Sequence, residues 1–372
     1  MAAMKLNLQR ETLLTPLQMV IGVVERKQTL PILSNVLLDT SDNKISITGT
    51  DLEVELVGQM ALEAPSSTDG KLTVPGRKLM DICKALPENS AVELYQDKEQ
   101  VILRSGRSRF TLSTLPAADF PNVENQASDI NFEVKQSELR RLIQRCHFSM
   151  AQQDVRYYLN GMLLVVSSDY IQGVATDGHR LAASRLNIGT GANEKVQVII
   201  PRKGIIELLR LLGNDDEPVQ VELSGNHIRV SNNSYTFTSK LIEGRFPDFD
   251  RVIPKKADKA ITLEKDYFKN ALNRVAILCN EKFRGLRFEF RHHLLRILAN
   301  NPEQEAAEEE IKVDYDSDEL DIGFNVSYLI DIINSLDGDT VTLNFSDANS
   351  SLMIEEGDDN ANFTYVVMPM RL

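Results

Sequence analysis

The sequence predicts an α+β chain of three similar units, each carrying two helices on one face of antiparallel sheets. Three observations support this. Phe-Pro punctuation falls at Phe120-Pro121 and Phe246-Pro247, and Pro369 stands in a comparable third place, which divides the 372 residues into thirds. Amphipathic stripes come in pairs. Behind each helix run short alternating strands in a meander, without the strand–helix–strand rhythm of a parallel sheet. Dipeptides keep the register: Thr50-Asp51 matches Thr176-Asp177 and then Asn300-Asn301, while Pro75 matches Pro201 and then Asn325. Self-similarity at a long fixed period is weighed before any other signal. The expected units are 1–124, 125–252 and 253–372.

In the first unit, Leu14, Leu17, Ile21 and Val24 mark a helix, with Pro16 expected in its first turn, where a missing N–H costs little. ISITGTDLEVELVG then alternates as strands. After Pro75 a second helix carries Leu79, Ile82, Cys83 and Leu86, followed by strands in AVELYQ, QVILRS and SRFTLSTL. The second unit repeats this order. Leu139, Leu142, Ile143 and Cys146 stripe its first helix, and Ile205, Leu208, Leu209 and Leu212 stripe the second, which Pro201 opens. In the third unit the stripes are Phe268, Ala271, Leu272 and Val275, then Val326, Leu329, Ile330 and Ile333. Helices on one face and sheets on the other would repeat into a solenoid or a closed array, and closure removes exposed sheet edges.

Three widely spaced cysteines, Cys83, Cys146 and Cys279, suit neither a disulfide framework nor a cysteine-rich metal site. They are expected as buried thiols in a reducing compartment. No apolar run reaches the roughly 20 residues a membrane helix needs, and the start lacks a signal-peptide apolar region. A cytosolic protein is expected. The net charge of −13 argues against a nucleic-acid binder when taken alone. Its distribution is uneven: the six helical windows together are net positive. The cations there include Arg10, Lys27, Arg77, Lys78, Lys84, Arg140, Arg141, Arg145, Arg202, Lys203, Arg210, Lys265, Lys269 and Arg274. They are either ordinary solvated faces or a mildly basic surface for a polyanion, which would read phosphates rather than bases.

Motifs for catalysis are scarce. None of the five histidines stands in a metal-ligand pattern, and neither GxGxxG nor a Walker A loop occurs. Asp177 and His179, in TDGHRLA, offer acid–base residue types without a nucleophile nearby, and turn chemistry accounts for them better. The acidic run 303–310, EQEAAEEE, reads as a solvated loop or charged strand that repels DNA. The end of the chain, Tyr365 to Leu372, is unusually apolar for a terminus. A last strand explains Val366 and Val367. Met370 and Leu372 leave open a groove for a hydrophobic peptide.

Several longer blocks resemble the bacterial DNA polymerase III beta subunit family of replicative sliding clamps: LRSGRSRFTLSTLPAADFPN, FSMAQQDVRYYLNGML, VATDGHRLA, FTSKLIEGRFPDF, NEKFRG and VVMPMRL. The resemblance runs from Met4 to the end, leaving Met1–Ala3 as a short extension. It implies the DNA clamp fold: three domains, two chains joined head to tail in a ring, helices lining the hole and duplex DNA threaded through it, sequence-independently. It implies no cofactor, no metal and no catalytic residue. By the same resemblance Lys27, Gln153, Tyr157 and Tyr158 are expected at the DNA, and the helix cations Arg77, Lys78, Arg141, Arg202 and Lys203 are expected to add diffuse attraction there. Phe110 and Leu112 would pack against Ile277 and Leu278 of a second copy. A peptide pocket would use Leu159, Thr176, Gly178, His179, Arg180, Leu181, Pro247, Val252, Tyr328, Ser351, Val366, Val367, Met368, Pro369, Met370 and Arg371, with Asn349 a departure at its rim. Its implied clients are the polymerase III alpha subunit, the clamp loader's delta subunit, repair polymerases, mismatch-repair proteins and DNA ligase, in the cytoplasm at the nucleoid and replication fork.

Overall fold

The computed structural model describes residues 4–24, 30–41, 43–62, 69–123, 127–254, 257–356 and 362–371. The expected DNA contact Lys27 lies outside the described residues, as do Met1–Ala3 and Leu372. The first run of elements is β1 (Lys5–Gln9), α1 (Arg10–Val20), β2 (Asn35–Ser41), β3 (Lys44–Thr50), β4 (Val54–Ala61), β5 (Gly70–Pro75), α2 (Gly76–Ala85), β6 (Ala91–Asp97), β7 (Gln100–Ser105) and β8 (Ser108–Ser113). The second is β9 (Ile130–Lys135), α3 (Gln136–Gln144), β10 (Gly161–Ser167), β11 (Tyr170–Thr176), β12 (Arg180–Leu186), β13 (Val196–Pro201), α4 (Arg202–Leu211), β14 (Pro218–Ser224), β15 (His227–Ser231) and β16 (Tyr235–Lys240). The third is β17 (Lys259–Glu264), α5 (Lys265–Ala276), β18 (Gly285–Arg291), β19 (Leu294–Asn300), β20 (Ala306–Lys312), β21 (Leu320–Asn325), α6 (Val326–Ser335), β22 (Thr340–Phe345), β23 (Leu352–Glu356) and β24 (Phe363–Val367). One order thus occurs three times: strand, helix, four strands, helix, three strands.

The chain packs as two compact units, residues 1–137 with 203–241, and residues 138–202 with 242–372. The first contains a four-stranded sheet, β1-β6-β7-β8, and an eight-stranded sheet, β5-β2-β3-β4-β16-β15-β14-β9. The second contains an eight-stranded sheet, β13-β10-β11-β12-β24-β23-β22-β17, and a four-stranded sheet, β20-β19-β18-β21. Each eight-stranded sheet is two four-stranded groups from neighbouring repeats, zipped edge to edge. The seams are antiparallel: Tyr235 lies opposite Gly58 where β16 meets β4, and Leu181 lies opposite Val366 where β12 meets β24.

Helical stripes lie on these sheets. The expected stripes of α3 and α5 are buried in full. At the start of the chain the expectation shifts by about one residue. α1 begins at Arg10 and ends at Val20, so Pro16 is interior rather than in the first turn, and Leu13, Pro16, Leu17 and Val20 face the core while Leu14 and Ile21 are half-buried. Gly58 of β4 makes room for Pro16, since a Cβ there would stand 2.9 Å from the proline. Ile330 likewise is half-buried, and Ile332 takes the core position on α6. Asn325 caps α6, its side chain accepting from the Ser327 and Tyr328 amides.

All three cysteines are buried and unpaired. Burial pushes the thiols of Cys83 and Cys146 up to about 12 and also raises Cys279. A raised thiol stays protonated at neutral pH and is a poor nucleophile. The native protein is therefore expected to react with no thiol reagent at pH 8 on a timescale of minutes, and with three equivalents in denaturant; a rapid native equivalent would contradict this packing.

Candidate functional site

The site is built on the hairpin between β11 and β12. Asp177 organises it: its Oδ1 accepts from the His179 amide at 2.9 Å and the Arg180 amide at 3.0 Å, and its Oδ2 takes Nε of Arg180 at 3.1 Å. Thr176 donates its hydroxyl to the Arg180 carbonyl and accepts from the Gly178 amide. Gly178 has φ +89°, and a Cβ there would meet the Arg156 guanidinium at 3.0 Å, so glycine suits both the backbone and the space. Asp177 is thus committed to holding a turn, not to moving protons.

Arg180 joins this turn to α6. Its Nη1 pairs with Asp331 at 2.6 Å and its Nη2 donates to the Phe148 carbonyl at 2.8 Å. The guanidinium lies 4.4 Å from the Tyr328 ring centre and 5.5 Å from that of Phe148. Planar, multiply bonded and stacked, such an arginine is a rigid wall that lysine would not replace.

The end of the chain straps across this wall. In β24, Val367 lies opposite Arg180. Beyond it the Met368 amide donates to the His179 carbonyl at 2.9 Å, and the Met370 amide to the Gly323 carbonyl at 2.8 Å. Val366 and Val367 are wholly buried, as a last strand requires, whereas Met368 is 43% exposed and Arg371 is exposed. Leu159, Leu181 and Val366 share one buried cluster with Phe246 and Phe249. Pro247 and Val252, close in sequence to Phe246 and Phe249, are exposed, as is His179. Of the expected pocket residues, Leu159, Leu181, Val366 and Val367 are thus buried, and Gly178, His179, Pro247, Val252, Met368 and Arg371 are exposed. Ser351 is half-buried just before β23. Asn349 is exposed, its amide donating to Asp347.

The expected DNA contacts are held differently. Gln153 is exposed with a left-handed φ of 56°, in the loop before the Tyr157-Tyr158 pair, whose rings meet edge-on at 5.8 Å. Tyr157 is exposed; Tyr158 packs on the buried cluster. Lys78 is exposed and has no ion-pair partner among the described residues. Other cations have internal partners: Arg77 donates to the Val24 carbonyl, Arg202 to that of Met150, Lys203 pairs with Asp51, and Arg141 with Asp337. The basic helix faces are thus weaker than a count of cations suggests.

Sequence reasoning missed Asp331, Phe148 and Asp337. One signal was present. Asp331 occupies the same helix position in the third repeat as Glu207 in the second and Asp81 in the first. Among the described residues, no group of three or more His, Cys, Asp or Glu is placed to hold a metal.

Comparison with known proteins agrees over the whole length. Models of the N-terminal, central and C-terminal domains of the DNA polymerase III beta subunit match residues 4–124, 133–248 and 250–371. The beta sliding clamp of Pseudomonas aeruginosa is 53% identical over 369 residues, covering 99% of this chain and 100% of that protein. That of Escherichia coli K12 is 49% identical over 369 residues with the same coverage. A crystal structure of the Pseudomonas aeruginosa DNA polymerase sliding clamp with ligand superposes with a TM-score of 0.96 at 52% identity, covering 99% and 100% of the two chains. A griselimycin-bound sliding clamp from Bartonella birtlesii gives 0.95 at 35% identity, covering 100% of both.

Proposed function

Since the chain belongs to the DNA polymerase III beta subunit family, and so is a non-catalytic replicative sliding clamp that binds DNA, dimerises and confers processivity on a polymerase, we propose that two copies close head to tail through the open edges of their four-stranded sheets. The supporting observation is the seam rule. In β5-β2-β3-β4-β16-β15-β14-β9 the seam joins the third strand of one repeat's four-strand run to the last strand of the next repeat. β12 and β24 obey the same rule. The remaining strands in these two roles are β20 and β8, each at the free edge of a four-stranded sheet. Pairing β20 of one copy with β8 of the other satisfies the rule a third time, and a heterologous contact of this kind closes into a ring. An edge left open would be an aggregation hazard.

Charge supports the same pairing. Arg107 and Arg109 are exposed at β8, while Glu303, Glu305, Glu308 and Glu310 are exposed along or just before β20. The acidic run is therefore an edge strand with a basic counterpart. Phe110 is half-buried on β8, Leu112 is buried, and Ile277 at the end of α5 is 76% exposed. We read Phe110, Leu112, Ile277 and Leu278 as the apolar centre of this contact. The three domains would divide at 1–124, 125–252 and 253–372, in the stretches between β8 and β9 and between β16 and β17.

Enclosure then replaces affinity. A ring that grips phosphates tightly would break strong contacts at every step, so mildly basic helices suffice. Lys27, Arg77, Lys78, Arg141, Gln153, Tyr157, Tyr158, Arg202 and Lys203 are the proposed DNA contacts. The rim beside Met368 and His179 is the proposed dock for short apolar segments of the polymerase III alpha subunit, the loader's delta subunit, repair polymerases, mismatch-repair proteins and DNA ligase, at the nucleoid and fork. Tethering raises a client's effective concentration at the template without new chemistry.

Hydrogen exchange tests the pairing. Alternate amides of β8 and β20 are expected to be protected in the dimer and to exchange within seconds on dilution to monomer. Equal, fast exchange of both strands in a stable dimer would contradict it.

A further inference from the structure

Asp337 lies just beyond α6 and reaches the end of α3. Its Oδ2 sits 2.5 Å from Nη2 of Arg141 and 2.8 Å from Nη2 of Arg145. Its main chain is pinned, since the amides of Asp337 and Gly338 both donate to Glu356 Oε1. Arg145 is fixed too: its guanidinium lies 4.1 Å from the Phe363 ring centre, and its Nε is buried with no hydrogen-bond partner among the described residues. Beside these groups opens a cavity of about 400 Å³, to which Gln144 and Asn334 add carboxamide donors. Asp337 and Arg141 are both 58% exposed at the side chain, so a solute reaches the pair. Two guanidinia converging on one carboxylate, with spare donors and space alongside, suit a tetrahedral anion that has more acceptor oxygens than a carboxylate.

We propose that Arg141 and Arg145 form a binding site for a DNA-backbone phosphate, and that Asp337 is its built-in competitor. The carboxylate holds the arginines when no phosphate is present and returns as the phosphate leaves. Each phosphate contact is then an exchange of anions rather than a net gain of an ion pair, which keeps it weak and brief. Single helix cations are also held by a carboxylate where Lys203 meets Asp51 at 2.5 Å and Arg274 meets Glu309 at 2.5 Å. This inference rests on the DNA-encircling reading and adds to it an internal limit on grip.

The test is binding of Asp337→Asn to a short linear duplex as a function of salt. At about 50 mM salt the variant is expected to bind at least tenfold more tightly than the parent. Its plot of log K against log salt should steepen by about one to two, because each cation freed for phosphate contributes roughly 0.9. Asp337→Ser carries the same expectation, and Asp337→Glu should match the parent. A folded, dimeric Asn variant with unchanged affinity and slope overturns the proposal, as does loss of fold in both neutral variants, which would make Asp337 purely structural. Inorganic phosphate at matched ionic strength should weaken duplex binding by the Asn variant more than chloride does, because it takes the same arginine pair; equal effects of the two anions would mean that the duplex does not use that pair. If the encircling reading itself failed, the parent would not be retained on circular DNA, whereas failure of this inference leaves that retention intact.

Discussion

Replacing Ile277 and Leu278 together with lysine is expected to leave a folded chain that no longer dimerises. Ile277 follows α5 and is 76% exposed, so it contributes little to the fold of its own chain. Leu278 is half-buried and its neighbours Val275 and Cys279 are buried, so the local turn retains its anchors. In the proposed contact these side chains meet Phe110 and Leu112 of a second copy. An ammonium placed there without a partner carries a desolvation penalty of several kcal/mol. Two of them should raise the dimer dissociation constant by at least about a thousandfold, given ~1.4 kcal/mol per factor of ten. Sedimentation at submicromolar concentration should give a species near the chain mass of 41.8 kDa with unchanged far-ultraviolet dichroism. A persistent dimer under those conditions would remove this pair from the interface.

Deleting residues 368–372 is expected to abolish docking of apolar client peptides while leaving the dimer intact. β24 ends at Val367, which stays paired with Arg180 and Leu352, so the sheet survives. What disappears is the strap fastened at the His179 and Gly323 carbonyls, with Met368 and Met370 on it. Burial of a methionine side chain is worth about 1.5–3 kcal/mol. Losing two adaptable apolar contacts should therefore cost at least about a hundredfold in affinity for a clamp-motif peptide, read by fluorescence anisotropy. Equal affinity in the truncated and full-length proteins would place client binding elsewhere.

These outcomes depend on features that were unequally legible in the sequence. α3 and α5 were readable because Leu139, Leu142, Ile143 and Cys146, and Phe268, Ala271, Leu272 and Val275, repeat with helical spacing and are all buried. α1 was placed one residue out of phase. Gln9 before it makes no side-chain cap, and Pro16, normally a first-turn signal, sits inside the helix against Gly58. The seams were not legible at all. Tyr235 pairs with Gly58, far away in sequence, and no local pattern distinguishes a strand that ends a sheet from one that continues into the next repeat.

The site shows the same division. TDGHRLA announced a turn, and Asp177 does cap one, but its link to α6 through Arg180 and Asp331 is a long-range contact. Charge was legible and its neutralisation was not. Arg141 and Arg145 stand out on α3, whereas Asp337, which occupies both, lies almost two hundred residues later. Burial tends to raise that carboxyl, yet Arg145 and Arg141 outweigh it and hold Asp337 below the usual carboxylate range. Its pairing therefore stabilises the fold above the ordinary carboxylate pKa and is lost as pH falls through the lower folded value.

The central claim is that DNA is held by enclosure rather than by grip, and retention on circular DNA tests it most directly. Protein loaded onto nicked circles by a clamp loader with ATP should remain through a high-salt wash. Linearising the same DNA with a restriction enzyme should then release it within minutes. Release from intact circles at the rate seen from linear DNA would contradict the claim, because affinity alone would then account for the binding.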